Sequence, residues 1–210
     1  MSKIFFDVGV SLDGYIAGPN RGPGNPLGDG GTSIHEWMFQ TASFLERIGS
    51  SGGETSPDDA LVKDVFERTG AYVMGKRMFE EGEVGWSENP PFRASVFVLT
   101  HSAREPWRRK GGTTFFFITD GIASALEQAK AAAGGKDVRV SGGAETIRQF
   151  ITAGLIDEFT LHVVPVLLGT GVRLMDGLNP AGLELEQVAV SNSPFVTHIK
   201  YRFSRPQPDR

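Results

Sequence analysis

Hydrophobic positions along the chain alternate between two kinds of segment. Short apolar runs reach a glycine or a polar pair, and a helical spacing begins directly behind them. Lys3 to Val10 (KIFFDVGV) is largely apolar, as befits a strand in the middle of a sheet. Ser33-Ile34-His35-Glu36 has the form of a capping box. Ile34, Trp37, Met38, Thr41, Leu45 and Ile48 share one face behind it, which predicts a helix to about Ile48. Ser56, Pro57, Asp58 and Asp59 supply an N-cap, a first-turn proline and two acids at the start of a second helix, closed at Gly70. Ala71 to Met74 then reads as a short strand that passes through Gly75 into a helix opening with Lys76 and Arg77.

Ser95 to Thr100 and Thr113 to Thr119 are further strands, and Asp120 is the expected cap of a helix with Ile122, Leu126 and Ala129 inward. Asp137 to Ser141 leads through Gly142-Gly143 into a helix with Ile147, Phe150, Ile151 and Leu155 on one face. Glu158 to Leu168 reads as one long strand, with Pro165 marking a bulge or an edge. Leu183 to Val190 and Val196 to Phe203 follow, the last with Ile199, Tyr201 and Phe203 alternating against His198, Lys200 and Arg202. Strand-helix alternation followed by strands joined by turns implies parallel strands with right-handed crossovers and then an antiparallel hairpin. The fold class is therefore α/β, a three-layer arrangement around a mixed, mostly parallel sheet of about eight strands. A single domain over residues 1–204 and a short tail at 205–210 are expected.

Composition narrows the chemistry. At 210 residues and 40% hydrophobic content the chain can bury an ordinary core. A net charge of -4 gives no general attraction to nucleic acid or acidic membranes, so an anionic ligand must be held locally. The absence of Cys removes thiolate catalysis and cysteine-zinc sites and fits a reducing compartment. No run approaches membrane-spanning length, and the first residues enter a strand pattern where a signal peptide would be basic and then apolar. The cytoplasm is the expected compartment.

The junctions carry the candidate chemistry. Gly75, Thr100 with His101 and Ser102, and Gly142 all stand at the carboxyl ends of strands that should be parallel. In open α/β sheets ligands bind along that edge, so these ends could converge on one extended ligand, with a dinucleotide the natural candidate. Gly142 and Gly143 would let a ligand touch backbone at a helix start that favours an anion; alone, the pair reads first as a sharp turn. Lys76 and Arg77 at a helix start gain from an anion or are solvated surface charges. The long loop that follows Asn20 and runs to Gly31 is of the kind that carries function. No G-x-G-x-x-G or P-loop spacing is present, and the G-x-S-x-G letters at Gly49 to Gly53 fall in a Gly/Ser-rich surface loop and not at the end of a strand. The four histidines, His35, His101, His162 and His198, lack metal-ligand spacing, so no metal is expected, and His162 reads as a satisfied core histidine. What survives is chemistry performed by a cofactor that the protein orients.

Four segments, Ser11-Leu12-Asp13-Gly14-Tyr15-Ile16-Ala17, Met74-Gly75-Lys76-Arg77-Met78, Val140-Ser141-Gly142-Gly143-Ala144-Glu145-Thr146 and Val163-Val164-Pro165-Val166-Leu167-Leu168-Gly169, together resemble the dihydrofolate-reductase-like superfamily. The branch is that of the C-terminal reductase domain of bacterial riboflavin biosynthesis. The resemblance implies an NADPH-dependent reductase acting on a small ring or imine-like substrate of pterin or pyrimidine type. It implies that Gly142, Gly143, Ala144, Glu145 and Thr146 hold the pyrophosphate. Gly75, Lys76, Arg77 and Met78 with Thr100, His101 and Ser102 would surround the adenine-side phosphates, and Ile16 and Ala17 would lie near the nicotinamide. A phosphate on the adenosine ribose would reward Arg77 or Arg104, hence NADPH over NADH. Asp13 matches the acidic residue of that branch's S-x-D-G segment and, with Trp37, is the expected catalytic, substrate-side pair. Their structural alternatives are an Asp-Gly turn and a core indole. The competing class is a nucleotide-binding or interaction protein on the same fold without catalysis. A homodimer is expected, its partner covering the Val163 to Leu168 run.

Overall fold

The computed structural model describes residues 2–204, so the tail expected at 205–210 lies outside the described residues. In chain order the elements are β1 (Ile4–Ser11), β2 (Tyr15–Ala17), α1 (Glu36–Phe39), α2 (Ala42–Arg47), α3 (Pro57–Arg68), β3 (Thr69–Gly75), α4 (Lys76–Glu83), β4 (Ser95–Leu99), β5 (Trp107–Arg108), β6 (Thr114–Ile118), α5 (Ile122–Ala132), β7 (Asp137–Gly142), α6 (Ala144–Thr152), β8 (Glu158–Val164), β9 (Val172–Arg173), β10 (Leu185–Asn192) and β11 (Thr197–Phe203). Nine strands form one sheet in the order β10-β11-β8-β1-β7-β3-β4-β6-β5, and β2 pairs with β9 in a second, small sheet. From β8 to β6 the strands are parallel. Antiparallel partners close both ends, the β10/β11 hairpin against β8 and β5 against β6. The strand beyond the expected count is β5, two residues long and too short to leave a periodic signal.

Alternation along the strands gives the sheet two unlike faces. One carries Ile4 and Phe6 of β1, Val138 and Val140 of β7, Ala71 and Val73 of β3 and Phe159 of β8, and it is packed by apolar residues of α5 and α6. A helix of nine residues such as α6 is marginal by itself. Ile147, Phe150 and Ile151, at 0%, 0% and 2% exposure, each add about 1.5–3 kcal/mol by burial, which is enough to pin it to the sheet. The start of α6 is thereby fixed at the carboxyl end of β7. The opposite face carries Asp7 and Gly9 of β1, Arg139 and Ser141 of β7, His162 of β8 and His198 of β11. Helices α1 to α4 lie over it. Gly9 makes that covering possible, since a Cβ there would stand 2.6 Å from Ile34 Cγ2 and 3.2 Å from His35 Cε1.

The helix expected from Ser33 to Ile48 is broken into pieces. No capping box forms, because Ser33 Oγ donates to Gly30 O at 2.7 Å and Glu36 opens α1 behind an uncapped His35. Thr41 ends that turn by adopting extended backbone and caps α2, its hydroxyl accepting from Phe44 N. By contrast α3 starts as its sequence dictates, with Ser56 accepting from Asp59 N at 3.2 Å and Pro57 in the first turn. Gly70 does not close that helix. It lies in β3, where a Cβ would strike Ala133 O at 2.1 Å, so its use is close packing against the end of α5. The cap of α5 is Gly121 and not Asp120. Pro165 ends β8 at Val164 instead of sitting inside a longer strand, and β8 itself is interior, between β1 and β11. Among the described residues no helix is long and apolar enough to cross a membrane.

Where β1 and β8 begin, the buried Glu158 carboxylate gathers Lys3 at 2.5 Å and Arg68 and Lys200 at 2.7 Å each. Burial alone would raise its pKa, but hydrogen bonds from Lys200, Lys3 and Arg68 outweigh that and hold it at about 2. The folded value lies below the ordinary 4.5, so this stabilisation is complete above pH 4.5 and is lost as pH falls toward 2. Glu158→Gln is expected to lower the melting temperature at neutral pH and to flatten the acid-induced decline within that window, as read by thermal melts at closely spaced pH values.

Candidate functional site

Two cavities open along the carboxyl ends of the parallel strands and share Arg21, Met78 and Gly143 in their walls. The first, of about 460 Å³, is lined by Gly75, Lys76, Arg77, Met78, Thr100, His101, Gly143, Ala144, Glu145 and Thr146. The sheet thus brings together residues from junctions that are far apart in the chain. Ser102 is not among the lining residues; its N–H donates to Thr100 Oγ1 at 3.1 Å, and the turn closes on itself. Arg104 is drawn away as well, with Nη2 2.7 Å from Glu83 and the guanidinium over the Phe79, Trp107 and Phe117 rings. Of the two arginines considered for a ribose phosphate, Arg77 remains, 77% exposed with Nε 3.4 Å from Glu81.

The glycines shape this cavity by absence. A Cβ on Gly75 would stand 2.5 Å from Thr146 Oγ1, so the β3-α4 and β7-α6 junctions touch only because none is there. Gly142 has φ +128°, a conformation that side chains rarely adopt, and the Gly142-Gly143 peptide is cis. A Cβ on Gly143 would meet nothing within 4 Å. Gly143 makes no side-chain cap to α6, which leaves the first-turn N–H groups without a side-chain acceptor where Gly143 to Thr146 line the cavity with Lys76 and Arg77. Bare backbone, a helix start and two cations are what a diphosphate-bearing cofactor requires.

The second cavity, of about 420 Å³, lies between the mixed face of the sheet and α1 to α3. Most of its wall is apolar, including Ile16, Ala17, Met38, Val62, Phe66 and Phe92. Gly142, expected with Gly143 to Thr146 at the pyrophosphate, lines this cavity and not the first. Its floor is polar. Asp7 Oδ1 stands 2.6 Å from Arg139 Nε, and Arg139 Nη2 donates to Asp7 Oδ2 at 3.1 Å. Burial would raise the Asp7 pKa, but Arg139, with His162, brings it to about 2. Burial lowers the His35 pKa to about 4, so this ring is neutral at pH 7. Trp37 lines the cavity at 7% exposure, with its ring centroid 4.9 Å from those of His162 and His198. The indole N–H of Trp37 and the Ser141 hydroxyl are buried with no hydrogen-bond partner among the described residues. Arg21, from the long glycine-rich loop, reaches in to Glu81 at 2.5 Å.

Asp13 is not among the residues of either cavity. Its carboxylate accepts from Ser11 Oγ at 2.6 Å, Leu168 N at 3.1 Å and Gly169 N at 2.7 Å. The Ser11 hydrogen bond leads in holding its pKa at about 2. These hydrogen bonds tie the segment after β1 to the loop after β8. The carboxylate expected on the substrate side thus forms a latch that lies outside both cavities. The residues that periodicity did not single out are Asp7, Arg139, Arg21 and Ser141. For Asp7 a signal was present, a carboxylate inside an otherwise apolar strand.

The family model described as the RibD C-terminal domain matches residues 2–197 of this chain. The uncharacterized protein YyaP of Bacillus subtilis strain 168 is 28% identical over 177 residues, covering 82% of this chain and 79% of its own. A candidate riboflavin biosynthesis protein from Shewanella sp. PV-4 superposes with a TM-score of 0.69 at 22% identity, over 98% of this chain and 100% of that one. Dihydrofolate reductase from Enterococcus faecalis, solved with NADP(H), superposes with a TM-score of 0.53 at 13% identity, over 97% of each chain. The architecture is therefore the dihydrofolate-reductase-like, reductase-type fold.

The latch makes a local prediction. In Asp13→Ala the amides of Leu168 and Gly169 lose their acceptor and are expected to exchange with deuterium markedly faster, while the amides of β1 and β7 keep their protection. Unchanged exchange at both positions would remove the latch.

Proposed function

Because the chain belongs to the RibD C-terminal domain family, we propose that it is an NADPH-dependent reductase passing a hydride to a small ring or imine-like substrate of pterin or pyrimidine type. The observation that carries this reading is the adjacency of the two cavities. One offers bare backbone, the start of α6 and the cations Lys76 and Arg77; the other is largely apolar, and Gly143 and Met78 belong to both. When bound, the cofactor supplies the hydride. The chain's own residues do the remaining work. Gly143 to Thr146 bind the diphosphate, Lys76 and Arg77 favour the additional phosphate of NADPH over NADH, and the apolar walls exclude water from the reacting carbon.

The partners that this reading requires are a small molecule and a second copy of the chain. A homodimer is supported by β10, which is exposed along its whole length and presents Leu185, Val188 and Val190 at 50%, 41% and 53% exposure on an unpaired sheet edge. In the Val163 to Leu168 run expected to be covered by the partner, Val164 is buried within its own chain and Leu167 is 72% exposed.

Titration with NADPH should raise the melting temperature and quench or shift the cofactor's fluorescence, with NADH binding more weakly. Gly143→Asp places a carboxylate where no atom stands within 4 Å of the added Cβ, at a position where Asp is a favourable helix cap. It is expected to keep the fold and abolish NADPH binding; retained binding would sink the assignment of this cavity. Oxidation of NADPH across a panel of pteridines, pyrimidines and cyclic imines separates a reductase from a nucleotide-binding protein without catalysis. For the dimer, light scattering should give the mass of two chains, and Val190→Lys should give one.

A further inference from the structure

Four titratable side chains from four elements meet beside the apolar cavity. His162 Nδ1 lies 2.7 Å from His198 Nδ1, His198 Nε2 lies 3.0 Å from Asp58 Oδ1, and His162 Nε2 lies 3.5 Å from Asp7 Oδ2. His162, His198 and Asp58 are 6%, 3% and 6% exposed, and of the two histidines only His162 lines the cavity. The indole of Trp37 covers both rings.

Proton counting constrains this chain. An ionised carboxylate only accepts, so His198 Nε2 must donate to Asp58, which leaves His198 Nδ1 as an acceptor. His162 Nδ1 therefore donates across the 2.7 Å contact. A neutral His162 would then turn a lone pair toward the Asp7 carboxylate. A proton on Nε2 removes that repulsion, and the chain then holds one proton more than two neutral imidazoles carry. The surrounding charges agree. Asp7 is balanced by Arg139, Asp58 in the first turn of α3 has His198 as its side-chain partner, and an extra proton on the pair neutralises the cluster. Burial pushes the His198 pKa down, which keeps the excess proton on its neighbour. Arg68 also acts on Asp7 from α3, and neutral His35 is the remaining titratable group facing the pair.

We propose that His162, positioned by His198 and Asp58, is a proton-donating site for a neutral, planar heterocycle or imine with a basic nitrogen. Both arginines lining the cavity are already paired, Arg139 with Asp7 and Arg21 with Glu81, so a phosphorylated substrate finds no free cation there. The buried Trp37 N–H and Ser141 hydroxyl offer hydrogen bonds to a polar edge. The chemistry rests on the reductase reading. Hydride addition to the carbon of a C=N bond moves the π electron pair to nitrogen, where an N–H bond must form. The His162 Nε2–H bond breaks to supply that proton, its long 3.5 Å contact with Asp7 leaving it free to turn to a ligand, and solvent later returns a proton to the ring. The reduced cofactor is oxidised and the imine is reduced.

The test is imidazole ¹⁵N NMR on the full chain without ligand at neutral pH. Two N–H protons are expected on His162 and one on His198, and Asp58→Asn should strip the second proton from His162 while a thermal melt shows it folded. One proton on each ring in the unmodified protein overturns the proposal. In His162→Gln, equilibrium NADPH binding should be unchanged while kcat on a substrate from the panel falls by about 100-fold or more. Asp58→Asn should move the alkaline limb of the kcat profile to lower pH. Undiminished kcat in His162→Gln overturns the proposal. A doubly protonated His162 in a protein that binds no NADPH supports the proton site and discards the hydride donor, which keeps the two readings distinguishable.

Discussion

A carboxylate and a guanidinium face each other across two neighbouring parallel strands near the middle of the sheet. Asp7 of β1 and Arg139 of β7, 2.6 Å apart, are each mostly buried, and neither could sit there without the other. Removing one partner of such a pair typically costs about 3–5 kcal/mol, because a charge is left without compensation. Their presence dictates what can cover that face. The opposite face is apolar and takes α5 and α6 in close contact, whereas this one needs polar neighbours and room around them. The cover is accordingly discontinuous, made of short α1 and α2 and the longer α3, and the space it leaves is the second cavity.

The two cavities then differ in electrostatics for a structural reason. At the strand ends, Lys76 and Arg77 are exposed with partial partners, so charge is available to a ligand from outside. Beneath the helices, Arg139 and Arg21 are neutralised by Asp7 and Glu81 before any ligand arrives. An anion gains at the first site and meets only desolvation at the second. Such a division suits a reaction in which one partner is a polyanion and the other reacts in a dry pocket.

Much of this was legible along the chain because it is local. Strand ends at Gly75, Thr100 and Gly142, the α3 cap at Ser56 and the apolar face of α6 depend on residues a few positions apart. The parallel topology then brings the strand ends together. What was not legible depends on distant partners. Ser33 and Glu36 have the letters of a capping box, yet Ser33 finds Gly30 O, and Thr41 interrupts the helix by capping the next one. Asp13 has the letters of a site residue, yet its three donors lie in Ser11 and in a loop 155 positions on. His198 sits on the side of β11 that alternation alone assigns to solvent, and becomes buried because α3 and Trp37 lie over it.

His162 shows how the two kinds of information combine. An apolar strand around a histidine argues for a core residue with its hydrogen bonds satisfied, and burial agrees. Satisfaction, however, is a statement about protons as well as distances. A lone core histidine needs one donor and one acceptor, and a neutral ring provides both. Here the partners are a second histidine and a carboxylate, and the second histidine ends on another carboxylate. Acceptors terminate the chain at both ends, so neutrality of both rings leaves one contact repulsive. The same contacts that bury His162 as a structural residue therefore favour a surplus proton, and the only histidine of the pair that borders the cavity is the one that holds it.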